Sequence, residues 1–270
     1  VYLRPLLSIF TWSQVLTIEV VIQIVLFILV LAVAWKKKDY GVIAAVLTGT
    51  FFIKPTVVMA SLTMSVCWLI TLGAILYMLL RQDSLEQKNR YPEFFLILGI
   101  LTAYFDFLTY PAVTVGFPLC VYFLLKLKEN QNLKSSLAKL ILYGVSWCIG
   151  YVGMWGLKWV VADLTLHTGT IKDAAWSIIG RTESIGGRPR MNGGLYVIGL
   201  NLQEYKYMIY AIAAVVIGVM AVVATIYALR KTTIKIVLTR LLPYIIICCI
   251  PFLWIIVVQH HSALHVRFTF

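Results

Sequence analysis

The twelve residues QHHSALHVRFTF close the chain and hold three of its four histidines, His260, His261 and His265, with Arg267 two positions further on. These residue types admit four chemistries: a metal site, acid–base catalysis, a phosphate clamp, or plain polarity at a membrane–water boundary. His261 and His265 are four apart and share a face if the segment is helical. No Glu follows the first His of the pair, so the zinc pattern H-E-x-x-H is absent. No Cys or carboxylate lies nearby to complete a metal sphere. Neutral imidazole donates or accepts a hydrogen bond, whereas Arg267 keeps its charge at any working pH. That mixture suits a ligand with hydroxyls beside an anion. No metal or cofactor is assigned to it, although a divalent ion stays open.

A second group is basic. RTESIGGRPRMNGG places Arg181, Arg188 and Arg190 among four glycines. Glycine lets backbone N–H groups approach an anion, and the guanidinium fork matches phosphate oxygens. The bland reading is a loop whose arginines touch lipid headgroups. Just before it, TIKDAAWSIIG has Thr170 and Asp173 at the spacing of a helix start. Ile171, Ala175, Ile178 and Ile179 fall on one side, which reads as a short interfacial helix with Trp176 at headgroup depth.

A third group is AYFDFLTYPAV. Asp106 lies between aromatic residues at the end of an apolar run, and Pro111 biases Tyr110 away from helix. A carboxylate in a span is costly and usually faces protein or a wet cavity. Asp106 therefore reads either as a cavity-lining carboxylate or as a headgroup-level turn residue, with Tyr110 in an aromatic belt. Glu19 sits four residues into the first apolar run, close enough to its end to reach the interface.

The elements that must position these residues are apolar helices. The chain is 61% hydrophobic and 13% charged, with a mean hydropathy of +0.91. Soluble domains are nearer half apolar and a quarter charged. Apolar runs of about twenty residues recur, each long enough for a hydrocarbon core of ~30 Å. They do not alternate, which argues against a β-barrel. The sequence predicts an all-α polytopic transmembrane bundle with eight spans, near 15–35, 40–53, 56–80, 92–109, 111–125, 138–161, 207–228 and 241–259. The second and fifth are short and admit tilted, broken or re-entrant arrangements.

Fourteen of the 23 Lys and Arg residues fall in, or within two residues of, four alternate short loops after the first, third, fifth and seventh spans. The positive-inside rule puts those loops in the cytoplasm. The net charge of +12 is thus mainly a topology signal and not a nucleic-acid footprint. Arg4, Lys54, the 105–111 turn, the loop at 163–206 and the terminal histidines then share the extracytoplasmic side. All five cysteines lie in apolar runs and read as membrane-buried thiols. Val1 is not an initiator Met and Phe270 stops mid-motif, so residues 1–270 are expected to be one transmembrane domain cut from a longer protein at both ends.

VYLRPLLSIFTWSQV, LTAYFDFLTYPAVTVGFPL and HHSALHVRFTF together resemble landmarks of multi-pass membrane proteins of Gram-positive bacteria, similar in layout to the GT-C glycosyltransferases. The resemblance implies a GT-C-like fold and an extracytoplasmic transferase at the cell membrane. Its donor would be a polyprenyl-phosphate sugar and its acceptor a cell-envelope glycan. Membrane lipids would be further partners, and nucleic acid would not. Read from the residues themselves, the candidate substrate contacts are Arg4, Tyr110, Arg188, Arg190, His260, His261, His265 and Arg267. Asp106 stands in as the base, because the main acidic residue of such enzymes lies in a first outer loop that would precede Val1. A transporter or lipid flippase, and a non-catalytic envelope-assembly partner, are the alternatives.

Overall fold

The computed structural model describes residues 3–53, 55–59, 61–105, 110–127, 132–167, 169–203 and 234–264. Every regular element among them is helical. Twelve α-helices run in order: α1 (Leu3–Leu7), α2 (Trp12–Lys36), α3 (Tyr40–Phe52), α4 (Pro55–Met59), α5 (Leu62–Gln87), α6 (Tyr91–Phe105), α7 (Ala112–Leu125), α8 (Leu133–Leu166), α9 (Thr170–Thr182), α10 (Arg190–Gln203), α11 (Ile234–Val257) and α12 (Gln259–Leu264). A 3₁₀ turn, Ile185–Gly187, joins α9 to α10.

Among the described residues four helices are long and apolar enough to cross a membrane: Trp12–Lys36, Met64–Gln87, Leu133–Leu166 and Arg240–Val257. The spans read from the sequence at 15–35, 56–80, 138–161 and 241–259 fall on them. Those at 40–53, 92–109 and 111–125 fall on α3, α6 and α7, of 13, 15 and 14 residues. At a rise of ~1.5 Å per residue these are about 20–22 Å long, short of a ~30 Å core. The span at 207–228 lies outside the described residues. The 56–80 stretch is two helices, α4 and α5, and α5 kinks again at Arg81.

Helix ends follow local chemistry. Thr11 and Gln14 form a capping box at the start of α2: the Thr11 hydroxyl accepts from the Gln14 N–H, and the Gln14 side chain accepts from the Thr11 N–H. Lys36 and Lys37 close the helix, where the carbonyl ends favour cations. Val21, Ile22, Val25, Ile28 and Leu29 of α2 are exposed. In water such a face would be a large apolar patch, whereas lipid solvates it at no cost.

The chain divides into two compact units. The first holds Val1–Gln131 and Leu137–Met154. In it α2 packs along α5, and α5 packs along α7. Trp68, Leu72, Ile75, Met78, Phe95, Leu119 and Tyr122 are fully buried there. Two glycines set a close helix crossing: a Cβ on Gly99 would fall 2.1 Å from the Trp147 carbonyl oxygen, and one on Gly150 would fall 2.1 Å from that of Leu96. Small residues at such crossings let backbones approach. The second unit holds Asn132–Ser136 and Trp155–Phe270. In it α10 packs on α11, and α12 packs on both α9 and α10.

Candidate functional site

The second unit gathers the basic loop and the histidine segment. Helix α9 starts at Thr170, one residue earlier than a Thr170 cap would place it. Gly169, at φ +68°, is the cap, and no side chain bonds across the start. Asp173 lies in the first turn, where its charge complements the helix N-terminus. After α9 the chain turns through Gly186 and Gly187, at φ +61° and +67°. Only glycine takes that pair of conformations without strain. The turn returns Arg190 to the end of α9, where its Nη2 donates to the Thr182 carbonyl at 2.9 Å. A helix C-terminus leaves its last carbonyls unsatisfied, so this guanidinium caps α9.

The opposite closure comes from α12. The Gln259 amide nitrogen donates to the Arg190 carbonyl and, at 3.1 Å, to that of Ile256. Gln259 is fully buried. One side chain thus fastens the start of α10 to the start of α12. Gly194 makes this possible: a Cβ there would sit 2.9 Å from Ile256 Cγ1. The buried face of α10 is Gly193, Val197 and Asn201, one turn apart along the helix, with Gly194 beside them.

Arg188 lies over the exposed ring of Tyr196, with its guanidinium carbon 4.2 Å from the ring centroid. Stacking occupies the guanidinium face and leaves its in-plane N–H donors for another acceptor. Arg190 spends one of five donors on Thr182. Both arginines are exposed, as is His260, while His261 is half-buried and Ser262 is buried. The structure therefore brings Arg188, Arg190, His260 and His261 into one packed group of helices. His265 and Arg267 lie outside the described residues.

The remaining site residues belong to the first unit. Arg4 lies in α1. Asp106 is outside the described residues, between α6 and the Tyr110–Pro111 turn. Tyr110 is buried, so its ring does not sit in an exposed aromatic belt. Next to it a polar knot ties three helices. Trp147 Nε1 donates to Thr114 Oγ1 at 3.1 Å, Thr114 Oγ1 donates to the Pro111 carbonyl at 2.8 Å, and Thr102 Oγ1 is 2.9 Å from Thr114 Oγ1.

Glu19 does not reach outward. It is buried on α2, where its carboxylate accepts from the Ser65 hydroxyl of α5. Gln23, one turn on and fully buried, donates to the Glu19 carbonyl at 3.3 Å, and its Oε1 has no donor among the described residues. The Ser65 and Gln259 roles carried no sequence signal beyond a polar residue in or beside an apolar run. Among the described residues no three His, Cys, Asp or Glu side chains gather to hold a metal ion. None of the five cysteines is in a disulfide.

Comparison with known proteins finds no matching family model, no matching curated protein and no matching solved structure.

Proposed function

We propose that this chain is a multi-pass protein of the bacterial cell membrane, GT-C-like and eight-spanned, that works on a polyprenyl-phosphate-linked sugar at the extracytoplasmic face. The reaction is transfer of the sugar to a cell-envelope glycan. The observation that carries the reading is the Gln259 contact to Arg190. It seats the histidine segment against the arginine loop at the end of a span-competent helix. Guanidinium donors beside imidazoles suit an anion flanked by hydroxyls, which is the composition of a sugar phosphate. An apolar helix end next to that group gives an isoprenoid tail a solvent it prefers to water.

Asp106, which lies outside the described residues, is the candidate base. The binding residues of the second unit are Arg188, Arg190, His260, His261, His265 and Arg267. The test is purified protein with a polyprenyl-phosphate sugar and a glycan acceptor. Sugar transfer, or slow hydrolysis without acceptor, is the expected result.

A transporter or flippase is the second reading. What favours it is the buried Glu19–Ser65–Gln23 set within helices α2 and α5. Ionisable groups inside spans mark ion and substrate paths. Movement of the intact lipid across a vesicle membrane, with no sugar released, would replace the first reading by the second.

A further inference from the structure

Helix α9 has two apolar faces, and one of them is unclaimed by protein. At about 100° per residue, Thr170, Ala174 and Ile178 lie along one side. Ala174 is buried and the other two are half-buried, on the side that meets α12. Ile171, Ala175 and Ile179 form a second stripe of one-turn spacing beside it. That stripe is exposed, with Ile171 at 47% and Ile179 at 51% of full exposure. Lys172 and Trp176 follow along its edge, and Trp176 is 64% exposed. Asp173 and Ser177 lie on the opposite side of the helix.

Position decides what covers the stripe. The stretch Arg240–Val257 of α11 is apolar enough to cross a membrane, so its end meets a membrane boundary. Helix α12 starts two residues after that end and packs on α9. Helix α9 is therefore one helix layer from the point where α11 leaves the hydrocarbon. An amphipathic helix with a Trp and a Lys at the edge of its apolar stripe is the composition of one lying in an interface. Arg181, in its last turn, and Arg188 and Arg190, just beyond it, are cations that anionic headgroups attract.

We infer that α9 is a membrane-surface helix. Its Ile171–Ala175–Ile179 stripe lies in the lipid leaflet where α11 ends, with Lys172 and Trp176 at headgroup level. The bilayer, not a second copy or a protein partner, covers the stripe. This anchor holds the arginine loop at the depth where a lipid phosphate sits, and it stands whether or not the sugar chemistry is right.

The test uses the whole protein in phosphatidylcholine–phosphatidylglycerol vesicles. Against a Trp176→Phe baseline, Ile179→Trp adds a reporter on the stripe and Ser177→Trp adds one on the far side. The added Ile179→Trp emission should be quenched by dibrominated lipid and shielded from aqueous iodide. The Ser177→Trp emission should show the reverse. Quenching of the Ile179→Trp reporter by iodide alone would overturn the inference. So would shielding from both quenchers, which would mean that protein covers the stripe. If either variant fails to fold, the difference between the native chain and Trp176→Phe reads the same boundary. Trp176 should then be quenched by lipid bromines placed near the headgroup, and iodide quenching alone overturns the inference.

Discussion

Gln259 carries more structure than its place in the sequence suggests. Replacing it with leucine, of similar size, removes the donor that the Arg190 carbonyl uses. Losing the net contribution of such a hydrogen bond costs ~0.5–1.5 kcal/mol. Gln259→Leu should therefore lower the thermal midpoint and loosen the arginine loop, read as faster proteolysis between α9 and α10. An unchanged midpoint would mean that the Gln259–Arg190 bond contributes nothing to stability. At Glu19 the expected loss is smaller. Glu19→Ala removes the acceptor of Ser65, but that hydroxyl also lies 3.2 Å from the Leu62 carbonyl and falls back on it. The net cost should be ~1 kcal/mol by equilibrium unfolding. Neither contact was legible in the sequence. Glu19 and Ser65 are 46 positions apart, as are Gln259 and Arg190 69 apart, and only tertiary packing joins them. The residue types at the arginine loop and the histidine segment were legible, because charge and imidazole stand out in an apolar chain.

At the scale of elements, the α6–α8 crossing makes the sharpest prediction. Gly99→Ala or Gly150→Ala forces a methyl group onto a backbone carbonyl, so the helices must separate. Overpacking of that kind costs ~1–3 kcal/mol. Gly153, also on α8, has nothing within 4 Å of its Cβ position. Gly153→Ala should be neutral or stabilising by ~0.5–1 kcal/mol, since alanine favours helix over glycine. Thermal unfolding of the three variants in one detergent separates the two cases. Equal effects at all three sites would mean that the crossing is loose. The long apolar helices could be read directly, because length and continuous hydrophobicity are local properties. The start of α9 could not, because Thr170-x-x-Asp173 has the spacing of a cap while Gly169 takes the capping conformation. The break between α4 and α5 was likewise invisible to an apolar run that continues across it.

For the whole molecule, charge bias sets the orientation. The segments at 36–39, 81–91, 126–137 and 229–240 are predicted to be cytoplasmic, and 163–206 to be outside. In intact cells, an impermeant thiol reagent should label Ser184→Cys and spare Ser84→Cys. Preferential labelling at position 84 would invert the topology and remove the site from the outer face.

The arginine–histidine group of the second unit is proposed to bind a lipid phosphate. The most direct measurement is the affinity of reconstituted protein for a polyprenyl phosphate, in the native chain and in two double variants. Arg188→Ala with Arg190→Ala should weaken binding about ten- to a hundredfold, the worth of one charge-assisted bond or slightly more. Lys36→Ala with Lys37→Ala removes the same charge elsewhere and should leave affinity unchanged. Unchanged affinity in the arginine variant, or equal losses in both, would contradict the account.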